Sequence, residues 1–161
     1  MAKVAIGDKA PDFTLPRDGG GMVSLSDFRG KWLVLFFYPK DNTPTCTTEA
    51  IDFSVKTDAF TAAGVSLLGI SPDPVKKHDK FVKKYSLKTP LVSDETKDVC
   101  ETYGVWVEKS LYGRKYMGVE RTTLLVSPDG TVAALWEKVK IAGHVDEVLQ
   151  EATARAGGAT A

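Results

Sequence analysis

WLVLFFYPKDNTPTC, Trp32 to Cys46, decides how the rest of the chain is read. The unbroken apolar run Trp32 to Tyr38 is too short for an independent helix and rich in residues that favour strands. Such a run suits a strand covered on both faces, as in a central parallel sheet. It stops at Pro39, and a polar loop follows. In Thr43-Pro44-Thr45-Cys46, Thr43 suits a helix N-cap and Pro44 the first helical position, so Cys46 falls in the first turn. Its sulfur then lies near unpaired backbone N–H groups and the positive end of the helix dipole, and both favour thiolate over thiol. Thr43 and Thr47 offer hydroxyls beside it. The competing reading is a small buried hydrophobe, for which a polar, capped helix start is a poor setting.

Working outward, GVSLLGIS (Gly64 to Ser71) is a second buried strand and Leu91 to Ser93 a short third one. Helices are expected over Thr47 to Ala63, Pro74 to Leu87 and Glu95 to Tyr103. In the second of these, Val75, His78, Val82 and Tyr85 share one face. Glu120 to Val126 and Thr131 to Val139 flank the turn SPDG, a hairpin signal that makes part of the sheet antiparallel. His144 to Ala156 reads as a closing helix. Ser26 is the expected N-cap of a short turn ended by Gly30, and Gly19 to Gly21 mark a turn. The pattern predicts one α/β domain over 1–161, three-layer α/β/α with a mixed central sheet, and a flexible tail from about residue 155 to 161. Sites in such folds gather at the C-terminal ends of the parallel strands, where Cys46 would sit.

Composition narrows the function. The 161 residues are 43% hydrophobic and 26% charged, with 21 basic against 21 acidic side chains. Zero net charge argues against a protein that mainly grips nucleic acid or anionic lipid. No apolar run approaches the ~20 residues that span a bilayer, and MAKVAIGDKAPDF lacks the apolar core of a signal peptide. Two cysteines do not make a disulfide framework, so a reducing, cytoplasmic setting is expected. His78 and His144, far apart in sequence, do not read as a metal site or a Cys–His hydrolytic pair. Composition leaves monomer or weak homodimer open.

PKDNTPTC fits the P-x-x-x-T-x-x-C signature of peroxiredoxins through Pro39, Thr43 and Cys46. The likeness continues through GDKAPDFTLP, VSLSDFRGKWLVLFFYPKDNTP, GISPDPVKKHDKF, TPLVSDE, YGVW, YGRKYMGVERTTLLVSPDG and GHVDEVL. The chain resembles the PrxQ, or bacterioferritin-comigratory-protein, subfamily nearly end to end. The resemblance implies a thioredoxin-like fold and thiol-dependent reduction of hydrogen peroxide and organic hydroperoxides. It makes Cys46 the peroxidatic residue, Pro39 the shield of the loop, Thr43 the hydroxyl that contacts the peroxide, and Arg121 the arginine brought from a distant strand. Glu49, in TTEA, would orient Arg121; an exposed helix charge is the alternative. No metal or cofactor is called for. A guanidinium favours the anionic sulfur, and preorganised donors stabilise the leaving oxygen.

Two departures stand out. Thr45 replaces the usual glycine before the cysteine, and its β-branched side chain is expected to stiffen or narrow the approach. The position five residues after Cys46, often a resolving cysteine, is Ile51, and the helix from Val75 to Leu87 has none. Cys100 is the only other thiol, either a buried small residue or a resolver. A 1-Cys mechanism follows, with thioredoxin, glutaredoxin or glutathione as the reductant the resemblance implies. A thioredoxin-type disulfide oxidoreductase would need C-x-x-C, where this chain has Thr47-Thr48-Glu49 after Cys46. A peroxide sensor or chaperone would be oxidised once per molecule instead of turning over. Asp41 and Lys40 read as polar loop residues, and Trp106 as a core or interface aromatic.

Overall fold

The computed structural model describes residues 4–158. Among the described residues nine strands and five helices follow one another: β1 (Thr14–Pro16), β2 (Met22–Ser24), β3 (Trp32–Phe37), α1 (Pro44–Val55), α2 (Thr57–Ala62), β4 (Val65–Ser71), α3 (Val75–Tyr85), β5 (Leu91–Ser93), α4 (Asp98–Thr102), β6 (Trp106–Leu111), β7 (Arg114–Val119), β8 (Thr122–Val126), β9 (Val132–Trp136) and α5 (His144–Gly158). A 3-10 turn covers Leu25–Phe28. The central sheet has the order β5-β4-β3-β8-β9. β3 pairs parallel with β4 and antiparallel with β8, so the sheet is mixed.

The apolar run of β3 is buried on both faces because the pleat alternates it between two cores. Val34 and Phe36 join Phe53, Phe60, Phe81 and Val148, under α1, α2, α3 and α5. Leu33, Leu35 and Phe37 join Phe13, Val23, Cys100 and Tyr103, beneath α4 and the two outlying hairpins. Gly69 in β4 is what the first core requires: a Cβ there would lie 2.8 Å from Leu91 Cδ2 and from Phe36 Cζ.

Several boundaries depart from the sequence reading. The expected helix Thr47 to Ala63 starts earlier, at Pro44, and breaks at Lys56. Beyond that break, the Thr57 hydroxyl donates to the Phe53 carbonyl at 3.2 Å, a local bond that competes with the helical ladder. The short turn is capped from Ser24 rather than Ser26, whose own place lies inside it: Asp27 Oδ2 accepts the Ser24 N–H at 2.9 Å. α4 begins at Asp98, not Glu95, because Lys97 is left-handed (φ 64°) and Asp94 Oδ2 accepts the Cys100 N–H at 2.8 Å. The ribbon β6–β7 has no counterpart in the sequence reading. Its turn places Tyr112 and Gly113 at φ 52° and 78°, the primed geometry that suits a two-residue hairpin; a tyrosine there gives no such signal. α5 runs to Gly158, with Ala156 buried, so the segment expected to fray from about 155 begins inside a helix. Residues 159–161 of that segment lie outside the described residues. Among the described residues no helix is long and apolar enough to cross a membrane.

Candidate active site

Antiparallel pairing of β3 with β8 sets Phe37 opposite Thr122. The residue before β8, Arg121, therefore arrives beside the C-terminal end of β3, where the chain turns through Pro39 to Thr43 into α1. Thr43 is the N-cap, Pro44 sits at the first helical position and Cys46 is the third residue of α1. Thr43 does not cap with its side chain: its hydroxyl donates to the Lys40 carbonyl at 3.1 Å, while its carbonyl accepts the Thr47 N–H at 2.8 Å. Pro39 is half-buried. Thr45 is exposed within the helix and needs no positive φ, so its branched side chain costs no backbone strain.

Cys46 is 2% exposed and packs in the first core with Phe36, Tyr38 and Phe53. Its sulfur nevertheless meets a cation. Arg121 Nη2 donates to Cys46 Sγ at 3.1 Å, and Nη1 donates to Glu49 Oε1 at 2.7 Å. Arg121 is no solvated edge residue, since it leads into an interior strand. Glu49 is no exposed helix charge either, being fully buried. One turn of α1 separates Cys46 from Glu49, so sulfur and carboxylate share a helix face and the planar guanidinium spans both.

Burial pushes the Glu49 carboxyl up to about 7, and Arg121 holds it below where burial alone would put it. Glu49 Oε2 has no hydrogen-bond partner. Burial opposes the Arg121 charge, but Glu49 and the Cys46 sulfur outweigh it and hold the guanidinium above its ordinary range. Lys109, on β6, is a second cation in reach. Burial and Arg121 pull it down, while Cys46 and Glu120 pull it up. Sequence reasoning missed Lys109 because it missed the ribbon.

The reading also missed the polar network beneath the loop. Asp41 is a buried hub: it accepts the Tyr38 hydroxyl at 2.6 Å and lies 2.6 Å from His78 Nδ1. The available signal was a histidine on the apolar face of α3, which needs a polar partner when buried. His144 is buried too, with Nε2 2.9 Å from the Thr123 hydroxyl, and burial lowers it to about 4, so it is neutral. Trp106 packs against the second core, with the Lys97 ammonium over its ring at 5.8 Å.

Cys100 lies on the other side of the sheet, in the second core with Leu33, Leu35 and Phe37. Burial and the Asp94 carboxylate both push its thiol up.

The AhpC/TSA family matches residues 6–135. Over 147 residues the chain is 45% identical to peroxiredoxin Bcp of Bacillus subtilis, spanning 91% of this chain and 94% of that protein. A solved structure of Xanthomonas campestris bacterioferritin comigratory protein, determined for insight into its alkyl peroxide reduction activity, superposes with a TM-score of 0.88 at 43% identity, covering 97% of this chain and 99% of that one. A cysteine-to-serine mutant of Xylella fastidiosa PrxQ superposes with a TM-score of 0.91 at 38% identity, again over 97% and 99% of the two chains.

Proposed function

The chain belongs to the AhpC/TSA family, in its peroxiredoxin Bcp (PrxQ) branch and with a thioredoxin-like fold, and from that premise we propose that Cys46 is the atom-transfer centre of a 1-Cys peroxidase. The family makes it a thiol-dependent peroxidase with a hydroperoxide substrate and a thiol reductant. The finer reading concerns which residues act and how the cycle closes.

The observation that carries it is the contact of Arg121 with sulfur at 3.1 Å, backed by Glu49 at 2.7 Å. A guanidinium held by a buried carboxylate is a fixed charge that favours the anionic nucleophile. The Cys46 thiolate attacks the terminal oxygen of the hydroperoxide. An S–O bond forms as the O–O bond breaks, sulfur loses two electrons, and the leaving alkoxide takes a proton to become the alcohol. Arg121, and the Thr43 hydroxyl once it swings from the Lys40 carbonyl to the substrate, stabilise charge on the leaving oxygen, and Pro39 covers the loop. The product is a Cys46 sulfenic acid. An external thiol condenses with it, releasing water and leaving a mixed disulfide; a second thiol releases Cys46 and carries away the disulfide.

Cys100 is not the resolver in this reading. The two cysteines pack on opposite faces of the central sheet, and a bridge requires Cα atoms within about 7 Å. Thioredoxin, glutaredoxin and glutathione are the reductants to test, and the cytoplasm, where such thiols stay reduced, is the setting. Intact-mass analysis after one equivalent of peroxide tests the proposal. The expected product is the single chain carrying one added oxygen on Cys46; an internal Cys46–Cys100 disulfide would refute the 1-Cys cycle.

A further inference from the structure

The turn that delivers Thr43 and Cys46 is fastened to the helix behind it by a chain of buried polar groups. His78 Nε2 lies 2.9 Å from the Val92 carbonyl oxygen. A carbonyl only accepts, so Nε2 carries a hydrogen. Nδ1 lies 2.6 Å from Asp41 Oδ2, and Asp41 Oδ1 accepts the Tyr38 hydroxyl at 2.6 Å. At 2.6 Å one hydrogen lies between Nδ1 and Oδ2. The pair is sealed from water, with side chains 0% and 1% exposed. Burial and the Asp41 carboxylate push the Tyr38 phenol up, so it keeps the hydrogen it donates.

The same turn is held at two further points. The Asp41 N–H donates to Asp73 Oδ2 at 2.6 Å, and Asp73 is itself fixed by the Ser71 hydroxyl at 2.9 Å. Asn42 takes a left-handed φ of 61°, and its Oδ1 accepts the Tyr85 hydroxyl of α3 at 3.0 Å. Thr43 follows directly. A buried polar pair is weak grounds for stability, because apolar side chains of like volume commonly do as well. What it supplies is a single geometry.

We propose that Asp41 and His78 are positioning residues of the peroxidase reaction: His78, aimed by the Val92 carbonyl, holds Asp41, and Asp41 holds the Tyr38–Asn42 turn where Thr43, Cys46 and Arg121 converge. The inference rests on Cys46 as the reacting thiol. Neither residue touches the sulfur; each acts through the loop.

Two variants separate placement from charge. His78→Ala leaves Asp41 without its anchor. Asp41→Asn keeps the shape: its amide oxygen still accepts from Tyr38, and its N–H donates to a neutral His78 whose Nε2–H still meets Val92. The readouts are the ¹⁵N shifts of the His78 ring and the second-order rate of Cys46 oxidation by hydrogen peroxide, both taken where circular dichroism shows a native fold. In the wild type and in Asp41→Asn alike the ring carries a hydrogen on Nε2, facing the Val92 carbonyl. His78→Ala slows oxidation by about 10²-fold, the effect of a misplacement of about 1 Å, whereas Asp41→Asn alone keeps most of the wild-type rate. Should His78→Ala fail to fold, His78→Gln, which reaches Val92 but not Asp41, takes its place with the same expected loss.

An unslowed His78 variant overturns the proposal. So does an Asp41→Asn protein as slow as His78→Ala, or a wild-type ring without a hydrogen on Nε2. The ring shifts are also read in Cys46→Ser. Peroxide turnover by that variant would remove the catalytic premise, while an intact Nε2–H in it would show that the anchoring itself had not failed.

Discussion

The two cysteines share more than their chemistry suggests. Both are free, both are buried at 2% or less, and each is the third residue of a helix. They differ in what faces the sulfur. Cys46 looks at a guanidinium 3.1 Å away. Cys100 sits beside Asp94, whose carboxylate accepts the Cys100 backbone N–H and pushes the thiol up together with burial. A helix start and a low exposure are therefore not enough to mark a reactive thiol. The sign of the charge delivered from elsewhere in the chain separates them, and the sheet keeps the two environments apart.

Exchanging the sulfurs one at a time gives the largest contrast. Cys46→Ser is expected to lose peroxide turnover down to the uncatalysed level, whereas Cys100→Ser keeps thiol-dependent turnover close to wild type. Coupled peroxide-consumption assays on both variants read this directly; a large loss in Cys100→Ser would erase the distinction.

Removing the cation comes next. Arg121→Ala takes away a fixed donor to the sulfur and to the leaving oxygen, and should slow Cys46 oxidation by about 10²–10³-fold. Stopped-flow oxidation by hydrogen peroxide reads the loss. An unslowed variant would mean that the sulfur's reactivity is set by something other than the guanidinium.

Glu49, behind that cation, makes the comparison visible in stability. Its carboxyl rises from 4.5 to about 7 on folding, so the folded state binds this proton more tightly than the unfolded chain. The contribution is fully present below about 4.5 and is lost as pH rises through 7. At 1.36 kcal/mol per unit it amounts to on the order of 3 kcal/mol. Urea unfolding of wild type and Glu49→Gln between pH 4.5 and 8 should show this loss in the wild type alone. His144 has the opposite sign, with a folded value lowered from 6.5 to about 4: its contribution is present above 6.5 and lost as pH falls through 4. It is common to both proteins and cancels in their difference.

The smallest effect belongs to Cys100→Ala. Trimming a buried thiol next to Leu35 and Phe37 should cost about 1 kcal/mol in chemical denaturation and leave turnover unchanged. A drop in turnover without a drop in stability would reopen a resolving role for Cys100.

Much of the fold was legible because period and composition carry it. The run from Trp32 suited a two-sided strand, and the observed β3 begins there. The short strand Leu91–Ser93 and the antiparallel partner across SPDG were also where the pattern put them. The errors have local causes. One helix breaks at Lys56, a left-handed lysine delayed another, and a Tyr-Gly turn hid the ribbon that brings Lys109 toward the site. Asp41 read as an ordinary loop carboxylate because nothing near it in sequence shows that His78, on a different element, will be buried against it.

By itself the sequence determined the central strand, the capped helix start and the thiol placed in its first turn, because these depend on neighbours within a few residues. Only the tertiary structure decided which thiol meets a cation. Arg121 lies 75 positions from Cys46 and reaches it because β8 runs antiparallel to β3 and starts where β3 ends. The Asp41–His78 pair spans 37 positions and meets because β3 and β4 run parallel, with Asp41 just past β3 and His78 on α3, which follows β4. Charge–charge and hydrogen-bond energies depend on separation in space, and separation along the chain carries almost none of that information until the sheet has closed.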